Sequence, residues 1–402
     1  MMNRENKPFI VIGGGIGGLA TALGIAETKQ YVKVLEQAPE FGEIGAGIQL
    51  ASNATNVLQR LGVMDKINEI AVFPKRLVLM DAFSGKELSA LDLGDVYKER
   101  YGAPYVVLHR SDLHKVLAEA CESNPFIELV TNQTIIEAVE SEGEVAVIAS
   151  DGSQHSGTAV IGADGLWSNA RKLFVEDQPV CSQYVAYRGA IPMDEVTSHG
   201  DLDDVYMWIG PNLHLVQYPV RRGELYNQVV VFKSSQYTKE NEQTNHWGTP
   251  DEMDRVFAGT CELVQNAISF IQRQRRWPMY DRLPIDNWTN GRITLMGDAA
   301  HPMLQYLAQG ACQALEDAAY LTDMLHKHGQ DIEQAFMEYQ EERIPRTANV
   351  QNSARMWGEI IHNTTDAGIL LRDTLLTSRT DKDFKFIDEF HGYNKQARER
   401  II

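Results

Sequence analysis

The chain has 402 residues, 44% hydrophobic and 23% charged, enough apolar material for two or three packed units and too much for wholesale disorder. Lys and Arg number 37 against 55 Asp and Glu, a net charge of −18. That argues against nonspecific nucleic-acid binding and against anchoring on an anionic membrane, because both need basic patches. No apolar stretch reaches the ~18 residues of a membrane span, and Cys121, Cys181, Cys261 and Cys312 show neither zinc spacing nor a redox pair. A cytoplasmic protein without a metal and with idle thiols is the expectation.

The first elements are legible at once. Phe9 to Gly13 reads FIVIG, a buried-strand run; GGIGGLATALGIAE then opens a helix, and Tyr31 to Gln37 forms a second strand. This is strand, glycine turn, helix, strand. Residues 76–93 alternate as a hairpin about Ser84-Gly85, and YVVLHR is a strand leading to a helix for which Ser111 is the expected N-cap. Residues 126–163 read as short strands with turns at Glu142-Gly143 and Asp151-Gly152. Gln183 to Ser234 alternates in Tyr, Val and Trp and predicts antiparallel sheet, with Arg221-Arg222-Gly223 as its clearest turn. Arg292 to Asp298 returns to a buried strand, a helix runs from Gly310 to about Lys327, and helix dominates the remainder.

The pattern predicts an α/β fold: a discontinuous Rossmann-like unit at 1–75, 105–180 and 285–350, an inserted antiparallel-sheet unit at 76–104 and 181–284, and a helical segment at 351–402. Three motifs carry chemistry. Gly13-x-Gly15-x-x-Gly18 lies between strand and helix, where the glycines permit a tight turn, close approach of a pyrophosphate, and helix–strand packing. Glu36 ends the second strand, where a carboxylate can accept from a ribose hydroxyl. The other motifs are Gly162-Ala163-Asp164-Gly165-x-x-Ser168-x-x-Arg171 and Gly297-Asp298-Ala299-Ala300-His301-Pro302; either alone is an ordinary turn.

Together, in this order and spacing, the three resemble those of the single-component flavoprotein aromatic hydroxylases. The resemblance extends to Tyr187-Arg188-Gly189 and to Tyr339…Arg343-x-Pro345-Arg346. It implies noncovalent FAD, NADH or NADPH as co-substrate, and O2 activated as a flavin C4a-hydroperoxide. By position it assigns Gly13, Gly15, Gly18 and Glu36 to the ADP half of FAD, with Gly47 beside them. Arg110 falls to the FAD chain, Asp164 to the pyrophosphate region, and Asp298 to the ribityl chain. The backbone of Leu307 to Ala311, including Gly310 and Ala311, falls to the flavin pyrimidine edge, where a positive helix end suits an anionic reduced flavin. A homodimer is the family's frequent state.

Such chemistry requires an electron-rich ring, best a phenolate, and hence a base. His214 and Tyr218 lie on one predicted strand at i and i+4, sharing a face about 13 Å apart along the backbone. They are the candidates to take the phenol proton. Gln305 can donate and accept but cannot be a base, so it is assigned to orienting the substrate, and Gln49 is expected in the same pocket. An anionic benzoate needs a donor, for which Tyr218, His214 and backbone N–H groups all remain open. Within the family, Gly45-Ala46-Gly47-Ile48-Gln49, the His214…Tyr218 pair and His301-Pro302-x-x-Gln305-Tyr306-Leu307-Ala308 resemble the branch that converts 3-hydroxybenzoate to 2,5-dihydroxybenzoate. Hydroxylases of 6-hydroxynicotinate and salicylate, and a non-hydroxylating FAD oxidoreductase, are the alternatives. His301 is read as a loop residue and the six tryptophans as core or interface anchors.

Overall fold

All four side chains of strand Phe9–Ile12 are buried, as befits a central parallel strand covered on both faces. In the computed structural model, which describes residues 7–42, 46–141, 143–196 and 202–393, this strand sits inside a six-stranded sheet. The order is Thr289–Asn290, Ile293–Leu295, Ala159–Gly162, Phe9–Ile12, Val32–Leu35, Ile127–Val130. All neighbours run parallel except the first pair. The helix Ile16–Glu27 returns along one face and packs against Gly310–His328 and Arg110–Glu122. Of the segments quoted above, residues 1–6, 43–45, 142, 197–201 and 394–402 lie outside the described residues.

A second sheet of seven strands runs in the order Trp277–Asp281, Val180–Pro192, Leu225–Lys233, Leu213–Val220, Val205–Gly210, Arg76–Asp81, Glu87–Asp92. Its alternation separates two faces. Tyr187, Trp208, Leu215, Val230 and Phe232 turn outward under the helices Pro250–Phe257 and Glu262–Ser269, forming their own core with Trp247, Met253 and Phe257. His214, Val216 and Tyr218 turn the other way. The long helix Ile332–Ile361, with Pro345 inside it, and the helix Asp366–Thr377 follow. No helix among the described residues is long and apolar enough to cross a membrane.

Three local expectations are corrected. The helix after the strand Val106–His109 begins at Arg110 with His109 as its N-cap. Ser111 therefore lies inside the first turn, its hydroxyl 2.7 Å from His109 Nδ1. The second sheet is not wholly antiparallel, because Val205–Gly210 runs parallel to Arg76–Asp81; strands so far apart in sequence are free to pair in either sense. Of the two roles expected for the tryptophans, core or interface, the core one is ruled out for Trp167, which is 62% exposed and rests on Tyr280 with ring centroids 5.6 Å apart.

Candidate active site

The two sheets face each other across a cavity of about 930 Å³. Its far side from the second sheet is the glycine turn. Gly13 has φ +106, and a Cβ there would meet the Ala163 carbonyl oxygen at 2.4 Å; a Cβ on Gly18 would meet the Gly13 oxygen at 2.0 Å. Both positions admit only glycine, one for backbone conformation and one for helix–strand contact. Gly15 differs, since nothing lies within 4 Å of an added Cβ. It is the N-cap of Ile16–Glu27, without a side-chain cap, and it lines the cavity with Ile16 and Gly17. Uncapped N–H groups at a helix start, beside open space, form an anion cradle.

Glu36 lines the same space, its carboxylate accepting from the N–H groups of Gly14 (2.7 Å) and Ala38 (2.8 Å). Arg110 stands at the start of its helix, and its N–H donates to the Ala46 oxygen (2.9 Å). The Asp164 carboxylate accepts from Ser168 Oγ (2.5 Å) and from the N–H groups of Asn169 (2.8 Å) and Ala170 (3.1 Å), so it shapes the turn it stands on. Asp298 lines the cavity and is exposed. A second uncapped helix start, at Gly310, borders the cavity through Leu307 to Ala311, with Ala308 left-handed at φ 53. Two helix starts, an open glycine and acidic side chains at strand ends suit a dinucleotide whose phosphates and ring carry negative charge.

The motifs also support one another. Arg171, from the middle motif, is buried and donates through Nη1 to the carbonyls of Ala299 (3.0 Å) and Ala300 (2.6 Å) in the late motif, while Asp177 pairs with its Nη2 at 2.8 Å. Below the Gly310 helix, Glu316 and Asp317 meet Arg343 and Arg346. Burial alone would raise both acids, but Arg346 and Arg343 hold Glu316, and His301 and Arg343 hold Asp317, below the usual carboxylate range. His301 Nε2 sits 2.6 Å from Asp317 Oδ2; it is a buried brace and does not line the cavity.

The opposite wall is the inner face of the second sheet: Leu77, Leu79, Met207, Val216 and Val229, with His214 and Tyr218. Gln305 closes it from the loop before Gly310, and Gln49, bonded through Oε1 to the Tyr105 hydroxyl (2.8 Å), reaches it from the strand Gly47–Leu50. Gly47 lets the Tyr218 ring in, since a Cβ there would lie 2.4 Å from its Cε2. Burial raises the Tyr218 phenol, keeping it protonated. Burial, then the neighbouring His362, pushes His214 well below the ordinary imidazole value. His214 Nδ1 lies 2.7 Å from His362 Nε2, and His362 itself is brought down to about 3 by burial and Arg372. Thus His214, Tyr218, Gln305 and Gln49 share one cavity with the glycine turn.

Two residues of the site escaped the sequence reading of the pocket, one behind its wall and one on it. His362 is a partner from a distant helix end with no local signal. Arg188 was legible only as part of Tyr187-Arg188-Gly189; its Nη2 donates to Gln305 Oε1 at 3.3 Å.

Comparison with known proteins agrees with this geometry. A family model described as FAD binding domain matches residues 7–354. The chain is similar to the 3-hydroxybenzoate 6-hydroxylases of Polaromonas naphthalenivorans (strain CJ2), 39% identical over 98% of this chain and 97% of the relative, and of Klebsiella oxytoca, 37% identical over 96% of each. Its fold is similar to that of a crystallised HpxO variant from Klebsiella pneumoniae complexed with FAD. The TM-score is 0.82 and the identity 25%, covering 93% of this chain and 95% of that one.

Proposed function

The chain belongs to the FAD-binding-domain family and is an FAD-dependent aromatic monooxygenase, and from that premise we propose that it hydroxylates 3-hydroxybenzoate to 2,5-dihydroxybenzoate with NAD(P)H and O2. The observation that carries this reading is the single cavity joining the glycine turn and two helix starts to a wall bearing His214, Tyr218 and Gln305. The relatives of that name cover nearly the whole chain and support the choice of substrate.

When bound, FAD supplies the redox chemistry, taking electrons from NAD(P)H and passing one oxygen atom of O2 to the ring. Gly13, Gly15, Gly18, Glu36, Gly47, Arg110 and Asp164 hold its nucleotide half; Asp298, Gly310 and Ala311 hold the flavin end. The protein's own part is to prepare the phenol. The apolar wall of Leu77, Leu79, Met207, Val216 and Val229 keeps water from the reacting centre. His214 is held neutral and accepts the phenol proton. Tyr218 stays a phenol and orients the substrate hydroxyl, and Gln305 positions the ring. The division into an FAD-binding unit (1–75, 105–180, 285–350), a substrate unit (76–104, 181–284) and a helical C-terminal segment belongs to the same reading. So do a cytoplasmic location and a homodimer, the latter supported by exposed Leu370 and Leu371 on the helix Asp366–Thr377.

The test is product identification after incubation of holoenzyme with 3-hydroxybenzoate, O2 and NADH or NADPH. One equivalent of 2,5-dihydroxybenzoate per nucleotide oxidised is expected. Nucleotide oxidation that yields only H2O2 with this substrate would refute the assignment.

A further inference from the structure

Each of the five buried arginines among the described residues is answered by a carboxylate. Arg171 and Arg282 meet Asp177, Arg343 and Arg346 meet Glu316, and Arg372 meets Asp373. Arg188 departs from that pattern. It lines the cavity, yet no carboxylate among the described residues pairs with it. Its Nε is buried without a hydrogen-bond partner, Nη2 reaches only the neutral Gln305 amide at 3.3 Å, and the guanidinium rests over the Trp277 ring at 5.5 Å. The acids lining the cavity, Glu36, Asp164 and Asp298, all stand on its glycine-turn side. A half-buried guanidinium whose Nε is shut off from both water and any partner is costly, and a site that keeps one is suited to an anion that arrives.

Its place on the sheet says which anion. Arg188 pairs with Val229, which pairs with Val216. The flanking rows are Ala186–Val231–His214 and Ala190–Asn227–Tyr218. The row of Arg188 therefore falls between those of His214 and Tyr218, about 6.6 Å from each along the strand. Across the sheet its strand lies two strands, about 9.6 Å, from that of His214 and Tyr218, a gap that the long guanidinium side chain and a substrate ring lying between them can span.

We propose that Arg188 is an anion-binding group of this cavity and clamps the carboxylate of the aromatic acid substrate, presenting the ring hydroxyl to the His214–Tyr218 wall. Gln305 Oε1 holds the guanidinium in place and leaves the rest of its fork for the carboxylate. The inference rests on the aromatic-acid reading above, but its test does not depend on the product formed.

Holoenzymes of the parent, Arg188→Gln and Arg188→Lys are titrated with 3-hydroxybenzoate and with the uncharged 3-hydroxybenzamide, binding being read from the flavin absorbance spectrum. In Arg188→Gln, affinity for the carboxylate should fall on the order of 10²-fold, while affinity for the amide changes less than about threefold. Arg188→Lys should recover part of the carboxylate affinity, and flavin content should be the same in all three. Equal weakening of both ligands, an unchanged preference for the acid, or loss of FAD, which would assign Arg188 to the cofactor's own anionic groups, would each overturn the proposal. If the parent ignores 3-hydroxybenzoate, benzoate, salicylate and 6-hydroxynicotinate are titrated against their amides. An Arg188-dependent preference for any of these acids sustains the clamp and removes only the substrate assignment, whereas a parent that binds none of them refutes the clamp itself.

Discussion

His214 takes its chemical character from a residue outside the cavity. Its Nδ1 is engaged by His362 Nε2, so the second ring nitrogen, which meets no hydrogen-bond partner among the described residues, is the one left for a ligand. Burial and His362 hold the ring neutral, so its lone pair is open to a substrate hydroxyl throughout the range in which an ordinary histidine titrates, although the same burial makes it a weaker base than a free imidazole. His214→Ala should therefore retain FAD and still oxidise NAD(P)H when substrate is present, while the hydroxylation step slows by ~10²–10⁴ if His214 is the sole base. The ratio of hydroxylated product to H2O2 measures it, and an unchanged ratio at an unchanged rate would transfer the proton to another group. Because the folded imidazole stays neutral well below ~6.5, the parent's hydroxylation rate should show no acid limb at that pH. His362 was beyond the reach of sequence patterning because it meets His214 across a separation of 148 residues, and no local period encodes such a meeting.

At the scale of elements, the glycine turn, the inward strand alternation at His214 and Tyr218, and the helix start at Gly310 were all legible, because each obeys a local period or a steric rule. The ties between elements were not. Arg171 joins two motifs by bonding to backbone carbonyls, and carbonyls carry no sequence signature. The helix Gly310–His328 is likewise held by side chains from Ile332–Ile361: Arg343 Nη1 lies 2.5 Å from Glu316 Oε2 and its Nε 2.7 Å from Asp317 Oδ1. All three side chains are fully buried, so removing the cation leaves Glu316 to Arg346 and Asp317 to His301, each short of one charged partner. Arg343→Met should cost ~3–5 kcal/mol of stability. Denaturant unfolding of the apoprotein measures this without the cofactor's contribution, and a loss below ~1 kcal/mol would mean that the acids are compensated elsewhere.

For the molecule as a whole, the buried histidines set its tolerance of acid. His362 and His391 are depressed to about 3, His391 chiefly by burial and then by Arg346, and His214 is well below its ordinary value. In the unfolded chain each titrates near 6.5, so below that pH the unfolded state binds protons that the native state refuses. Stability is full above ~6.5 and declines as pH falls, by about 1.4 kcal/mol per pH unit for each such histidine. The salt-bridged Glu316 and Asp317, held below ordinary carboxylates, lose their contribution only at lower pH. The melting temperature should therefore drop between pH 7 and 5, and a flat profile there would show that the histidines take up protons in the native state. The strand neighbours Ala159–Gly162 and Ile293–Leu295 bear on the molecule's synthesis. Roughly 130 residues separate them, and these must leave the ribosome before the pair can close. At ~5–20 residues per second, the strands around Phe9–Ile12 wait on the order of ten seconds with Ala159–Gly162 as an open edge. A nascent chain in that interval offers a buried-type hydrophobic strand to whatever chaperone or stray strand reaches it first.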